Sequence, residues 1–167
     1  MTPLRLSVAC GDYDINRALI DGEVRPGGME LTTITCPSPQ RHWRMIRHRE
    51  FDVCELSMAS YLALNEREPG SLVAIPVFPH RRFRHGFIFV NGAAGVQEPS
   101  DLDGRRVGLR TWQTTAGLWA RGLLQDEYGI DLRRIDWYAQ DDEDIPIPLV
   151  PGLRLQTVPQ GKTVTAM

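Results

Sequence analysis

Cysteine is scarce in this sequence: among 167 residues only Cys10, Cys36 and Cys54 occur, and no two of them form a CxxC pair. An odd number at such spacing argues against a disulfide framework or a thiolate zinc site, and fits reduced, partly buried thiols. Long hydrophobic runs are missing as well. The opening MTPLRLSVACGDYD offers only about six residues before polar chemistry begins, too few for a signal-peptide core or a membrane span, so a cytoplasmic chain is expected. Charge of one sign is also lacking, because 19 Lys and Arg set against 21 Asp and Glu leave a net −2. Such a surface attracts neither nucleic acid nor an anionic membrane, so any basic feature must be local. HExxH, GxSxG, Walker and GxGxxG patterns are absent, which leaves hydrolase, NTPase and dinucleotide readings without a motif.

What is present is the composition of a soluble globular protein, 42% hydrophobic and 24% charged. The length suits one ordinary domain or two small lobes. Arg44 to Tyr61, RMIRHREFDVCELSMASY, reads as a basic helix end, a buried strand over Phe51 to Ser57 and a polar switch at Ser57 and Ser60 into a new helix. In an open α/β sheet the ligand crevice lies beyond the carboxyl ends of the strands, which puts Ser57 at its lip with a helix N-terminus aimed inward. An anionic ligand follows from that placement.

The rest of the first half alternates in the same way. LRLSVAC over 4 to 10 is a strand candidate, and Asp14 is expected to cap a helix INRALI stopped by Gly22. MELTTIT is an alternating strand. Ser38 and Pro39 are expected as N-cap and N1 of a helix to about Arg49, with Trp43 and Ile46 on its inner face and His42 and His48 on the surface. A helix over about 58 to 66 completes a β-α-β-α-β-α order, the pattern of a parallel sheet with right-handed crossovers. Leu72 to Phe78 and Gly86 to Asn91 predict two further strands, the first irregular because of Pro76 and Pro79. After Asn91 a new lobe is expected. It carries a strand Arg106 to Leu109, an amphipathic helix Thr114 to Tyr128 with Leu118, Trp119, Leu123 and Leu124 on one face, and a strand Ile135 to Tyr138. A solvated acidic loop Asp141 to Asp144, a strand LRLQTV and a final amphipathic GKTVTAM follow.

ACGDYD, RALIDGEVRPGGMEL, RMIRHREFDVCELSMASY, VAIPVFPHRRFRH, IFVN, EPSDLDGRRVG and ARGLLQDEYGI together resemble the 4,5-dihydroxyphthalate decarboxylase family, which is similar in turn to type II periplasmic solute-binding proteins. HREFDV, AIPVFP and FRH, in that order and spacing, are the specific pieces. The resemblance implies a periplasmic-binding-protein-like type II α/β fold of two three-layer lobes with mixed sheets, closing on a small aromatic or aliphatic carboxylate. It puts the first lobe at residues 1 to 90 and the second at 91 to 167. It also implies a truncation, since members of the family are roughly twice as long and complete the first lobe with a C-terminal half. Three functions follow as alternatives: a decarboxylase acting on a hydroxylated aromatic carboxylate, a non-catalytic carboxylate binder, or an inactive fragment that forms a homo-oligomer through an exposed sheet edge.

Decarboxylation needs a carboxylate site, a proton donor at the ipso carbon and stabilisation of developing negative charge, and nothing in that set demands a cofactor or a metal. Arg82, Arg84 and His85 are candidates, guanidinium forks for the carboxylate and imidazole for the proton, against the alternative of a solvated basic loop. Asp12 and Tyr13 lie just past the first strand, where Asp12 either orients a histidine or accepts a ring hydroxyl, or is simply a turn residue. Ser57 and Ser60 either donate to the ligand or cap a helix. Gln113, Thr114 and Thr115 open the second-lobe helix and could grip a carboxylate from the opposite wall, or Thr114 only caps.

Overall fold

Two three-stranded parallel sheets carry the chain, one in each half, in a computed structural model that describes residues 2 to 166. The chain divides into two compact units, Met1–Arg81 and Arg82–Met167. Met167, the last residue of GKTVTAM, lies outside the described residues.

In the first unit, β1 (Leu4–Cys10) is central and pairs in parallel with β2 (Met29–Thr35) from Leu4↔Met29 to Cys10↔Thr35. Its other edge pairs with β3 (Val53–Cys54). The order β2-β1-β3 reverses direction at β1, and the crossovers are α1 (Arg17–Ile20) and α2 (Ser38–His48), with α3 (Met58–Arg67) following β3. Ala9, Met45 and Phe51 form the buried centre, with Ile34, Cys54, Leu56 and Leu72 packed around them.

The helices start where polar punctuation allows, though not always as expected. Asp14 does not cap: Tyr13 occupies that position in extended backbone without a side-chain cap, and a 3-10 turn Asp14–Asn16 leads into α1. Pro37 precedes α2, so Ser38 and Pro39 are its first two residues. Pro39 costs nothing there, because first-turn N–H groups have no partner inside the helix. The inner face of α2 belongs to Arg41 and Met45, four residues apart, while Trp43 is turned outward and meets His48 edge-on at 5.2 Å. A stripe through 41 and 45 sets position 42 against the body of the unit. His42 is accordingly largely buried rather than on the surface, and burial together with the Arg41 charge pushes its imidazole down to about 4.

That shift has a definite sign. An imidazole that protonates at about 6.5 in the unfolded chain and only at about 4 in the folded one makes the unfolded state bind more protons between those values. Stability is therefore lost as pH falls through that window, by roughly 1.4 kcal/mol at pH 5.5 and on the order of 3 kcal/mol below pH 4. Urea midpoints at pH 7.5 and 5.5 are expected to differ by that margin, and His42→Gln is expected to remove most of the difference.

Segments 72–78 and 86–91 are not strands. Pro76 and Pro79 lack the N–H a ladder needs, and an apolar run becomes a strand only where a neighbour takes its backbone groups. Neither segment pairs with an outer edge of the β2-β1-β3 sheet, and Val73 and Phe89 are 86% and 87% exposed. Only a 3-10 turn, Arg84–Phe87, forms there.

The second unit orders β4 (Arg106–Leu109), β5 (Asp136–Ala139) and β6 (Arg154–Thr157) as β4-β5-β6, with α4 (Thr115–Asp126) between the first two. Trp112, Leu124, Ile135 and Trp137 are its buried centre, the indoles meeting edge-on at 5.5 Å. The buried face of α4 is Arg121 and Leu124, whereas Leu118 and Trp119 are exposed, a rotation from the expected apolar stripe. Gly129, at φ +66°, ends the helical stretch in the left-handed region that favours glycine.

Candidate functional site

Parallel pairing brings the carboxyl ends of β1, β2 and β3 to one edge of the first sheet, and a cleft of about 460 Å³ opens there. Gly11, Asp12 and Tyr13 line it from the end of β1, Thr35 to Ser38 from the end of β2, and Arg41 from the first turns of α2. The α2 N-terminus thus borders the cleft with no acidic side chain in its first turn, a placement that favours an anion. Gly11 makes room for the close approach of Tyr13, since a Cβ there would lie 2.6 Å from the ring Cε2 and push the phenol off its bonds to Glu55 and Arg41.

Beneath the cleft lies a buried ion pair. Arg41, 1% exposed, places Nη2 at 2.6 Å from Glu55 Oε2, donates from Nη1 to the Cys36 carbonyl at 2.6 Å and from Nη2 to the Tyr13 hydroxyl at 3.2 Å, and from Nε to the Glu55 carbonyl at 3.3 Å. Glu55 accepts in turn from the Gly11 N–H at 2.8 Å and the Tyr13 hydroxyl at 2.9 Å. Loops after all three strands are therefore tied to one carboxylate and one guanidinium. Burial and the bond to Glu55 raise the Tyr13 phenol, which keeps its proton, and its ring stacks on His80 at 5.3 Å. Burial pushes the Cys54 thiol up to about 12 and raises Cys10, so neither is a thiolate nucleophile near neutrality.

The second unit repeats the plan with one difference. After β4, Thr114 caps α4, accepting from the Gly117 N–H at 3.2 Å and donating to the Thr111 carbonyl at 3.3 Å. The backbone N–H groups of Trp112 and Gln113 donate to the Glu143 carboxylate, the latter at 3.2 Å. Glu143 comes from the loop after β5, so the acidic run expected to be solvated delivers a half-buried carboxylate to the start of a helix. Burial raises its proton affinity, opposed by those two N–H donations. Arg121 lies underneath, its guanidinium 3.6 Å from the centre of the Trp112 ring, and burial lowers it to about 10.

Asp12 and Tyr13 come together at the first cleft, though Asp12 is exposed and ion-paired with Arg17. Ser57 is the N-cap of α3 and accepts from the Ser60 N–H at 3.5 Å. Arg82 is exposed, while Arg84 is half-buried over the Phe87 ring at 5.2 Å. His85 stacks on Phe83 at 4.8 Å and meets Tyr128 edge-on at 6.2 Å. Gln113 is buried and its side-chain amide donates to the Ile145 carbonyl. Thr115 is the first residue of α4. Arg41, Glu55, Arg121 and Glu143 were missed from sequence. The spacing of Arg41 to Met45 was the available signal for the first; Glu143 gave none, lying in a run of four acidic residues.

Residues 18–144 match the family described as ABC transporter, phosphonate, periplasmic substrate-binding protein. The chain is 36% identical over 171 residues to a protein of Comamonas testosteroni named 4,5-dihydroxyphthalate decarboxylase, an alignment covering 99% of this chain and 52% of that one. A protein of the same name from Pseudomonas putida is 31% identical over 173 residues, covering 100% of this chain and 67% of its own length. The chain thus spans about half of the first relative and two thirds of the second. Among the described residues no helix is long and apolar enough to cross a membrane.

Proposed function

Since the chain belongs to the phosphonate-type periplasmic substrate-binding family, alongside proteins named 4,5-dihydroxyphthalate decarboxylase, we propose that it binds a small hydroxylated aromatic carboxylate and acts on it as a decarboxylase. The observation that carries this reading is the cleft at the carboxyl ends of β1 and β2. A helix N-terminus, the hydroxyls of Thr35 and Ser38 and the Tyr13 phenol border it, a wall suited to a carboxylate and ring hydroxyls.

In the reaction the ring carbon bearing the carboxylate takes a proton, the bond from that carbon to the carboxyl carbon breaks, and its electron pair returns to the ring as carbon dioxide leaves. His85 is our choice of proton donor, with Asp12 holding a ring hydroxyl. Arg82, Arg84, Tyr13, Ser57, Ser60, Gln113, Thr114 and Thr115 are the proposed binding residues. The free thiols of Cys10, Cys36 and Cys54 suit a reducing compartment, and we place the protein in the cytoplasm.

Binding without turnover is the second reading, favoured by the family description as substrate-binding proteins. Incubation with 4,5-dihydroxyphthalate separates the two: carbon dioxide release supports the enzyme, whereas a raised melting temperature without release leaves only the binder. Arg84→Ala is expected to weaken 4,5-dihydroxyphthalate binding by about 1.5–3 kcal/mol, the range for a hydrogen bond to a charged group. Calorimetric titration measures it, and unchanged affinity removes Arg84 from the site.

A further inference from the structure

At the carboxyl ends of the strands in each unit, an acidic side chain from one loop accepts backbone N–H from another, with a buried arginine beneath. In the first unit that arrangement is closed: every nitrogen of the Arg41 guanidinium has an acceptor, and Glu55 is its ion-pair partner. The second unit leaves its arginine open. Arg121 is only 6% exposed, yet its Nη1 is without a hydrogen-bond partner among the described residues. An orphaned charged donor at such depth is costly, and the Trp112 ring face on which the guanidinium rests supplies no hydrogen-bond acceptor in its plane.

The direction of the side chain says where an acceptor belongs. Helical side chains lean toward the N-terminus of their helix, and Arg121 reaches back one turn until Nη1 lies 3.3 Å from where a Cβ on Gly117 would be. Glycine leaves that space open, and a methyl group would crowd it. The same point is 3.0 Å from Thr114 Oγ1 and 3.3 Å from the Thr111 carbonyl, in the first turn of the twelve-residue α4. Trp112 and Gln113, whose N–H groups already hold a carboxylate, immediately precede that turn. Donors, dipole and a buried cation therefore converge, and the anion now present belongs to the protein itself.

We propose that the carboxyl ends of β4 and β5 hold a carboxylate-binding site, with Arg121 as its buried cation and the Trp112 and Gln113 N–H groups as its donors. Glu143 fills it until an acidic ligand takes its place. The inference rests on the reading of the chain as a carboxylate binder and adds to it a competitor built into the acidic loop and a residue, Arg121, that sets the demand for negative charge.

The probe is phthalate, titrated calorimetrically into the full chain, Glu143→Gln, Glu143→Ala and the double variant Glu143→Gln/Arg121→Met, with amide shifts of Trp112 and Gln113 followed by NMR. Removing the internal competitor is expected to tighten phthalate binding about tenfold, to shift both amides on titration, and to lose the gain when Arg121 is replaced. Equal or weaker binding by Glu143→Gln, or shifts confined to other residues, overturns the proposal and leaves Glu143 a structural cap. Where phthalate binds no form of the chain, acetate separates the two readings. Amide shifts of Trp112 and Gln113 with acetate in Glu143→Ala keep the site and dismiss the aromatic ligand; no shifts dismiss the site. If both single variants are unfolded, the unsubstituted chain saturated with phthalate must show the same two shifts, and their absence overturns the proposal.

Discussion

Arg41→Ala is expected to lower the stability of the first unit by about 3–5 kcal/mol, the range for removing one partner of a buried ion pair. The cost arises less from the lost contact than from what stays behind. The Glu55 side chain, 12% exposed, would keep a charge with no counter-ion, and the Cys36 carbonyl and Tyr13 hydroxyl would each lose a donor. A lysine at 41 supplies the charge but not the fork that reaches Cys36, Glu55 and Tyr13 together, so Arg41→Lys should recover only part of the loss. Arg41→Met combined with Glu55→Leu is the informative control. A paired apolar replacement of this kind is often neutral for stability. It also removes the acceptor of the Gly11 N–H and the Tyr13 hydroxyl, so the cleft wall loosens although the unit folds. Urea melts follow the first effect and ligand titration the second. An Arg41→Ala loss below about 1 kcal/mol would mean that Glu55 finds solvent and that the pair is not buried in solution.

Trp137→Ala is expected to cost the second unit a similar amount, about 3–5 kcal/mol, for a different reason. The indole is 2% exposed, packs edge-on against Trp112 and donates to the Leu132 carbonyl at 2.9 Å. Truncation leaves a cavity beneath β5 and withdraws the support of Trp112, on whose ring Arg121 rests. Trp137→Phe keeps most of the packing and forfeits the hydrogen bond, at a cost of roughly 1–3 kcal/mol. Chemical denaturation of both variants gives the ordering; equal losses would assign the whole effect to the hydrogen bond and none to the cavity.

What was legible in the sequence was what repeats locally. Alternation in MELTTIT and the apolar run LRLSVAC announced β1 and β2, and Thr114 announced the start of α4, because period and cap chemistry need no knowledge of distant residues. AIPVF and FIFV carry the same local signal, yet pairing is a long-range property that the signal does not contain. The buried charges were hidden for a related reason. Arg41 stands in RHWRMIRHR with three other arginines, Arg44, Arg47 and Arg49, and nothing in side-chain type tells which one turns inward. Only the fold brings Glu55 to it from fourteen positions away. Charge density in DDED hid Glu143 in the same manner, since a run of carboxylates reads as solvated whichever member is captured.

The placement of β1 at the centre of its sheet bears on how the protein is made. β1 leaves the ribosome ahead of both of its neighbours, and its second edge has no partner until Cys54 is synthesised, 44 residues after Cys10. At about 5–20 residues per second that is a wait of roughly 2–9 s, to which the length of the exit tunnel adds. Through that interval LRLSVAC is an apolar strand with an open edge, the kind of segment that nascent-chain chaperones cover and that aggregates when they do not. Emergence of Glu55 one residue later ends the exposure, because the carboxylate that ties down Gly11 and Tyr13 arrives with the strand that closes the sheet.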